Sequence, residues 1–231
     1  MSKNNEYRSF LKENFPNTSI IQNDCAYNIY SRVCENNLTT DIFIENIKCR
    51  LGDKEQCVNS LINRYREQFN RLLIIIPLND IYSSSFYMRV ISENLLKLTY
   101  ALNFNDSLEN ISNLRFRDLN EELNKLKEIN PKYREAIKNV FSLYGRYSNF
   151  LHNKNNNGSE IEIMEQIIKS NEVDLKKIDN DLMSILKSYQ VIISNHFEIE
   201  ECLLTTAQKI RVNKRLSRAR ANKFKENLFK K

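Results

Sequence analysis

The chain reads as an all-α protein, and three observations lead there. It holds only 3 Gly and 3 Pro in 231 residues. A many-stranded sandwich or barrel needs a turn every ten residues or so, and this chain lacks the punctuation. Apolar residues recur at three- and four-residue intervals over long stretches, the period of a buried helix face. The composition, 41% hydrophobic and 28% charged, suits a folded domain with a real core.

The elements follow in order. Glu6 to Phe15 is a short helical segment closed near Pro16, and residues 17–24 are polar and loop-like. Cys25 to Arg50 carries Ile42, Ile44 and Ile47 at helical spacing. Asp53, after Gly52, stands as an N-cap for the next helix. That helix, Lys54 to Ile76, has the stripe Val58, Leu61, Ile62, Tyr65, Phe69, Leu72, Leu73 and Ile76, and Pro77 ends it. Asp80 caps a helix running to about Leu102, apolar almost all round and so expected in the middle of a bundle. Arg89 and Glu93 interrupt it four residues apart, the spacing of a helical ion pair.

Residues 103–130 form a polar connection with short helical pieces, such as Leu119 to Lys127. Pro131 suits the first turn of a helix that reaches His152. Asn153 to Gly158 is a polar loop, and Ser159 with Glu162 forms a capping-box pattern before Ile161 to Ile168. Val173 to Ile193 is helical, with Leu175, Ile178, Leu182, Ile185, Leu186 and Tyr189 on one side. A last helix is expected from near Asn195 into the C-terminus. The domain reading is an N-terminal extension over 1–24, a helical domain over 25–206 and a basic helix or tail over 207–231.

Several function classes drop out. The glycines Gly52, Gly145 and Gly158 lie too far apart for a phosphate-binding loop. The five cysteines, Cys25, Cys34, Cys49, Cys57 and Cys202, include no CxxC pair, and the two histidines lie far from most of them. No metal site and no cofactor are expected. Free buried thiols behave as small hydrophobes. Met1 to Glu6 is polar with no apolar run behind it, so no signal peptide is expected. Leu72 to Ile76 is far too short to span a bilayer. A reducing cytoplasm is the expected compartment.

The net charge of +6 is unevenly placed. Residues 207–231 hold ten basic side chains and one acid, a net of +9, which leaves 1–206 at −3. Arg211, Lys214, Arg215, Arg218 and Arg220 are the candidate RNA-contacting residues, with Ile210, Leu216, Phe224 and Leu228 interspersed. Such a segment binds phosphate backbones through counterion release. The same pattern serves an acidic membrane surface, an acidic partner or a solvated tail.

The segment that carries chemistry is Arg146-Tyr147-Ser148-Asn149-Phe150-Leu151-His152. Histidine is the side chain best poised for proton transfer near neutral pH, and arginine holds phosphate oxygens bidentately. Together they can cleave RNA without metal, one group taking the 2′-OH proton and the other stabilising the phosphorane. Six helical positions turn through about 600°, so the two side chains meet only where the helix end loosens or the arginine reaches around Asn149. Ser148 and His152 share a face. His196, beside Phe197, is read as structural.

The Arg-x5-His segment resembles the RX4-6H signature of HEPN domains, helical ribonucleases of toxin–antitoxin and phage-defence systems. Arg89 to Lys97 is similar to the R-x-x-x-E-N-x-x-R/K helix of several defence-associated HEPN families. Tyr144 through Ser148 to His152 looks like the Y-x-x-x-S-x-x-x-H form of their motif helix. The resemblance implies His152 as general base or acid, Arg146 as the phosphate-holding cation, and Glu93 as an orienting carboxylate with Arg89 beside it. The family usually carries a polar residue, most often Asn, Asp or His, after the arginine. Here it is Tyr147, and Ser148 or Asn149 is placed to supply that contact. A homodimer, and an antitoxin or defence-system partner protein, are also implied. The alternatives are a non-catalytic helical module that binds RNA or a protein partner, and a purely structural helical protein.

Overall fold

The computed structural model describes residues 3–47, 51–126, 130–152, 174–197, 204–216 and 218–229. The described residues hold helices and no strand, in agreement with the all-α expectation. The helices are α1 (Lys3–Asn14), α2 (Asp24–Ile47), α3 (Glu55–Ile75), α4 (Ile81–Asn103), α5 (Leu108–Asn113), α6 (Phe116–Asn124), α7 (Pro131–His152), α8 (Leu175–His196), α9 (Thr206–Arg215) and α10 (Arg218–Leu228).

Local chemistry explains most boundaries. Asp80 accepts a hydrogen bond from the Tyr82 amide at 2.9 Å and caps α4 as expected. Ser107 and Asp174 cap α5 and α8 in the same way. Thr205 and Gln208 form a reciprocal capping box at α9. Asp53 does not cap α3: it lies in a 3₁₀ turn over Gly52–Lys54, and Lys54 precedes the helix with no side-chain cap. Gly52 takes a positive φ of 51° there, a conformation open to glycine without strain.

Five long helices close a ring: α2 packs on α3 and α8, α3 on α4, α4 on α7, and α7 on α8. Pairings fix the directions. Tyr82 with Phe150, Arg89 with Tyr144 and Asn103 with Tyr133 make α4 and α7 antiparallel. Tyr133 with His196, Asn139 with Ser188 and Arg146 with Asp181 do the same for α7 and α8. Arg32 with Asp179 and Thr40 with Tyr189 set α2 parallel to α8.

The core is a single cluster running from Tyr7 and Leu11 on α1 to Phe224 and Leu228 on α10. Helix α4 lies deep in it, with Met88, Ile91, Leu95, Leu96 and Leu98 fully buried. Two of its buried hydroxyls bond within the helix, Ser92 donating to the Met88 carbonyl at 2.9 Å and Thr99 to the Leu95 carbonyl at 2.7 Å, while the Ser84 hydroxyl is buried without a partner among the described residues.

The C-terminal part differs from expectation in its layout. Extended backbone at Phe197 ends α8, so Asn195 lies in the last turn of that helix, and the next described helix begins at Thr206. The two helices α9 and α10 pack on α2 and α8, and Val212, Leu216, Ala221, Phe224 and Leu228 are buried. The sequence-predicted helix over 161–168, its capping box, and the loop before it lie outside the described residues, as do Cys49 and Cys202.

Candidate functional site

The end of α7 separates the two residues of the Arg-x5-His segment. The helix stays regular through His152. Six positions then leave the side chains about 120° apart around the axis. Arg146 turns towards α8, where its Nη1 donates to both oxygens of Asp181 at 2.8 and 2.9 Å. His152 is exposed at the last position of the helix, and no hydrogen bond joins it to the described residues. Within one chain, the arginine and the histidine therefore do not converge.

Tyr147 supplies no polar contact for a substrate. It is 5% exposed, and its hydroxyl donates to Asp181 Oδ2 at 2.7 Å. Burial, reinforced by the Asp181 carboxylate, pushes its phenol well above the ordinary range. Asp181 thus binds two consecutive residues of α7. The Arg146 side chain keeps 46% exposure, so its other nitrogens stay open to solvent. The space beside it is small. A cavity of about 50 Å³, lined by Ile81, Ser85, Arg146, Tyr147, Phe150 and Lys177 among others, has room for a water or two and not for a nucleotide.

The Arg89–Glu93 ion pair does not form. Glu93 pairs instead with Lys97 at 2.9 Å, and Lys97 also donates to the Ser112 carbonyl at 2.8 Å. A glutamate four residues before a lysine is the favoured orientation against the helix dipole, and an arginine before a glutamate is the poorer one. Arg89 lies against Tyr144: Nη2 donates to the phenol oxygen at 3.2 Å, and the guanidinium sits 5.3 Å from the ring centroid. Phe116 stacks on the same tyrosine at 4.2 Å. The Arg89 Nε is buried without an acceptor. Tyr144, Ser148 and His152 follow one another at four-residue steps, so Arg89 stands at the foot of the row that ends in His152. Ser148 is half-buried on that row, and Asn149 is exposed.

The basic C-terminus divides by face. Lys209, Arg211, Lys214, Arg218 and Lys223 point outward. Arg220 does not belong with them. It turns inward, donating to the Ser31 hydroxyl at 3.1 Å and pairing with Glu35, whose side chain is 8% exposed. Burial lowers the Arg220 pKa, opposed by Glu35. The Arg215 side chain lies outside the described residues.

Sequence reasoning missed the acids that organise these cations. Asp181 holds Arg146, Asp179 holds Arg32 at 2.8 Å, and Glu35 holds Arg220. The available signal was three acids inside otherwise apolar helix faces. Cys25, Cys34 and Cys57 are thiols outside any disulfide, and no cluster of three metal-ligating side chains exists among the described residues. No described helix is long and apolar enough to cross a membrane. In comparisons with known proteins, no family model, curated protein or solved structure matches the chain. The HEPN resemblance rests on the residues quoted for it.

Proposed function

We propose that the chain is a helical RNA-binding module whose main contact surface is the outer face of α9 and α10. One observation carries this reading. The hairpin buries Val212, Leu216, Phe224 and Leu228 against the bundle and presents Lys209, Arg211, Lys214, Arg218 and Lys223 to solvent. An ordered basic face of that kind meets phosphates without paying to order a free tail. Four phosphate contacts on a single strand give a slope of roughly −3 for log affinity against log salt.

The test is fluorescence anisotropy with a single-stranded RNA at several salt concentrations. The wild type binds with that salt dependence. The triple variant Arg211→Glu, Lys214→Glu, Arg218→Glu loses most of the affinity and flattens the slope. Absence of binding at low salt, or equal binding by the triple variant, overturns the reading.

A second reading is a metal-independent endoribonuclease of a toxin–antitoxin or anti-phage defence system. The half-open Arg146 and the exposed His152 at one end of α7 favour it. In that chemistry, His152 takes the 2′-OH proton as the oxygen attacks phosphorus. The free nitrogens of Arg146 stabilise the phosphorane, and the bond to the 5′-oxygen breaks as that oxygen takes a proton from the His152 imidazolium or from water. The products are a 2′,3′-cyclic phosphate and a 5′-OH. Because the two groups point apart in one chain, the scissile phosphate needs its second group from another copy, the role of the homodimer. Cleavage by wild type in EDTA, abolished by His152→Ala, supports this reading. Equal products from both proteins reject it.

A further inference from the structure

We propose that Arg89 and Phe86 form a subsite for one nucleotide of single-stranded RNA, with the guanidinium on the phosphate and the ring under the base. The inference rests on the RNA reading above but uses a surface separate from the C-terminal hairpin.

The first observation is an unneutralised cation. Among the described residues, the other arginines that are buried or half-buried have carboxylate partners: Arg32 with Asp179, Arg66 with Asp41, and Arg220 with Glu35. Arg89 is the exception. It is half-buried, its neighbour Glu93 is taken by Lys97, and its only polar partner among the described residues is the neutral Tyr144 hydroxyl. Arginine stays charged, and holding a charge in a partly desolvated place without a counter-charge costs stability. An anion bound there relieves that cost.

The second observation is an acid-free stretch of the two helices that run from it towards His152. No Asp or Glu occurs on α4 from Ile81 to Ser92, nor on α7 from Ala136 to His152. Asp80, at the N-terminus of α4, is occupied by the Tyr82 amide and the Ser83 hydroxyl. The α4–α7 seam therefore carries Arg89 and His152 with no carboxylate on the two helices between them. Successive residues of the Tyr144–Ser148–His152 row rise by about 6 Å each. Arg89 and the end of the row are thus about 12 Å apart along the helix. One phosphate cannot touch both, but an extended strand can.

The third observation is an exposed aromatic at the right register. Phe86 is three residues before Arg89, on the same side of α4, and is 47% exposed. Its ring meets Tyr87 edge-on at 5.7 Å. A cation and an exposed aromatic one turn apart on the same side of a helix offer a phosphate contact and a stacking face, the two means by which proteins hold unpaired bases.

The experiment measures binding of a single-stranded RNA and of the matching duplex across a salt series, using wild type, Phe86→Ala, Arg89→Gln and the hairpin triple variant. Loss of one stacked base weakens single-strand binding about tenfold in Phe86→Ala, with the salt slope unchanged and the duplex little affected. Loss of one phosphate contact in Arg89→Gln flattens the slope by about 0.7. Wild-type binding with neither variant altered overturns the subsite and leaves the hairpin reading standing. Failure of the wild type to bind RNA overturns both. Phe86 is exposed, so its variant keeps the test open even where Arg89→Gln proves unstable.

Discussion

Asp181 accepts both hydrogen bonds of Arg146 Nη1, at 2.8 and 2.9 Å, and so fixes the direction of that arginine across the α7–α8 interface. The same carboxylate takes the Tyr147 hydroxyl at 2.7 Å. One acid on α8 thus pins two adjacent side chains on α7, one half-open and one buried. Asp181→Asn removes the charge and sets an amide donor against the guanidinium. The expected cost is about 2 kcal/mol, the scale of charge-assisted bonds, reduced by the exposure of Arg146. Tyr147→Phe costs about 1 kcal/mol. Urea unfolding of the two variants checks the order. A larger loss in Tyr147→Phe contradicts the organising role of the carboxylate.

The two faces of the C-terminal hairpin separate stability from binding. Arg220→Met leaves Glu35 charged and buried without its partner, and costs about 3 kcal/mol. Arg211→Met changes an exposed residue and stays within about 0.5 kcal/mol. RNA affinity responds to Arg211→Met, as expected of a residue on the outer face. Urea midpoints and anisotropy on the same preparations measure both effects. Equal destabilisation by the two variants would mean that the Arg220–Glu35 pair does not hold the hairpin.

What the sequence reveals here is what short-range chemistry encodes. Asp80 and Pro131 mark the starts of α4 and α7 because capping and a missing amide act within one turn. The stripe from Val58 to Ile76 shows the buried face of α3 by its period alone. The ionic partners are different in kind. Arg146 and Asp181 are 35 residues apart and Arg220 and Glu35 are 185 apart, so only the packing of whole helices brings them together. The Arg89–Glu93 spacing misleads for a local reason, since Lys97 competes for the same carboxylate from the favoured side. The outward pull of the basic segment was readable as charge, but which of its arginines faces inward depended on where Glu35 lies on α2.

A hydroxyl in the core gives a prediction of opposite sign. Tyr65 is fully buried, its ring lies 4.7 Å from that of Tyr189, and its hydroxyl has no acceptor. Burial raises its phenol pKa far above the ordinary value. Tyr65→Phe removes an unpaid desolvation cost and leaves the stability unchanged or raised by about 1 kcal/mol. Tyr189→Phe breaks the 3.1 Å contact with Thr40 and loses about 1 kcal/mol. Thermal unfolding of both proteins at one concentration distinguishes the signs, and a clear loss in Tyr65→Phe counts against an unsatisfied hydroxyl.

His196 makes the stability depend on pH. Asn103 donates to the Tyr133 oxygen at 2.7 Å, which leaves the phenol hydrogen for His196 Nε2, also at 2.7 Å. The imidazole is therefore neutral and accepting. Burial, helped by the positive charge of Lys54, lowers its pKa to about 4. In the unfolded chain it protonates near 6.5. Between those values the unfolded state binds more protons, so stability is complete above pH 6.5 and falls as the pH drops towards 4. The full loss is about 3 kcal/mol, of which about 2 kcal/mol has appeared by pH 5. His196→Gln keeps a group able to accept from Tyr133 and has no proton to gain. Urea unfolding at pH 7 and pH 5 should therefore show a drop in wild type larger than that of the variant by about 2 kcal/mol. The carboxylates titrate alike in both proteins and cancel in that difference. Identical drops would place the acid sensitivity elsewhere in the fold.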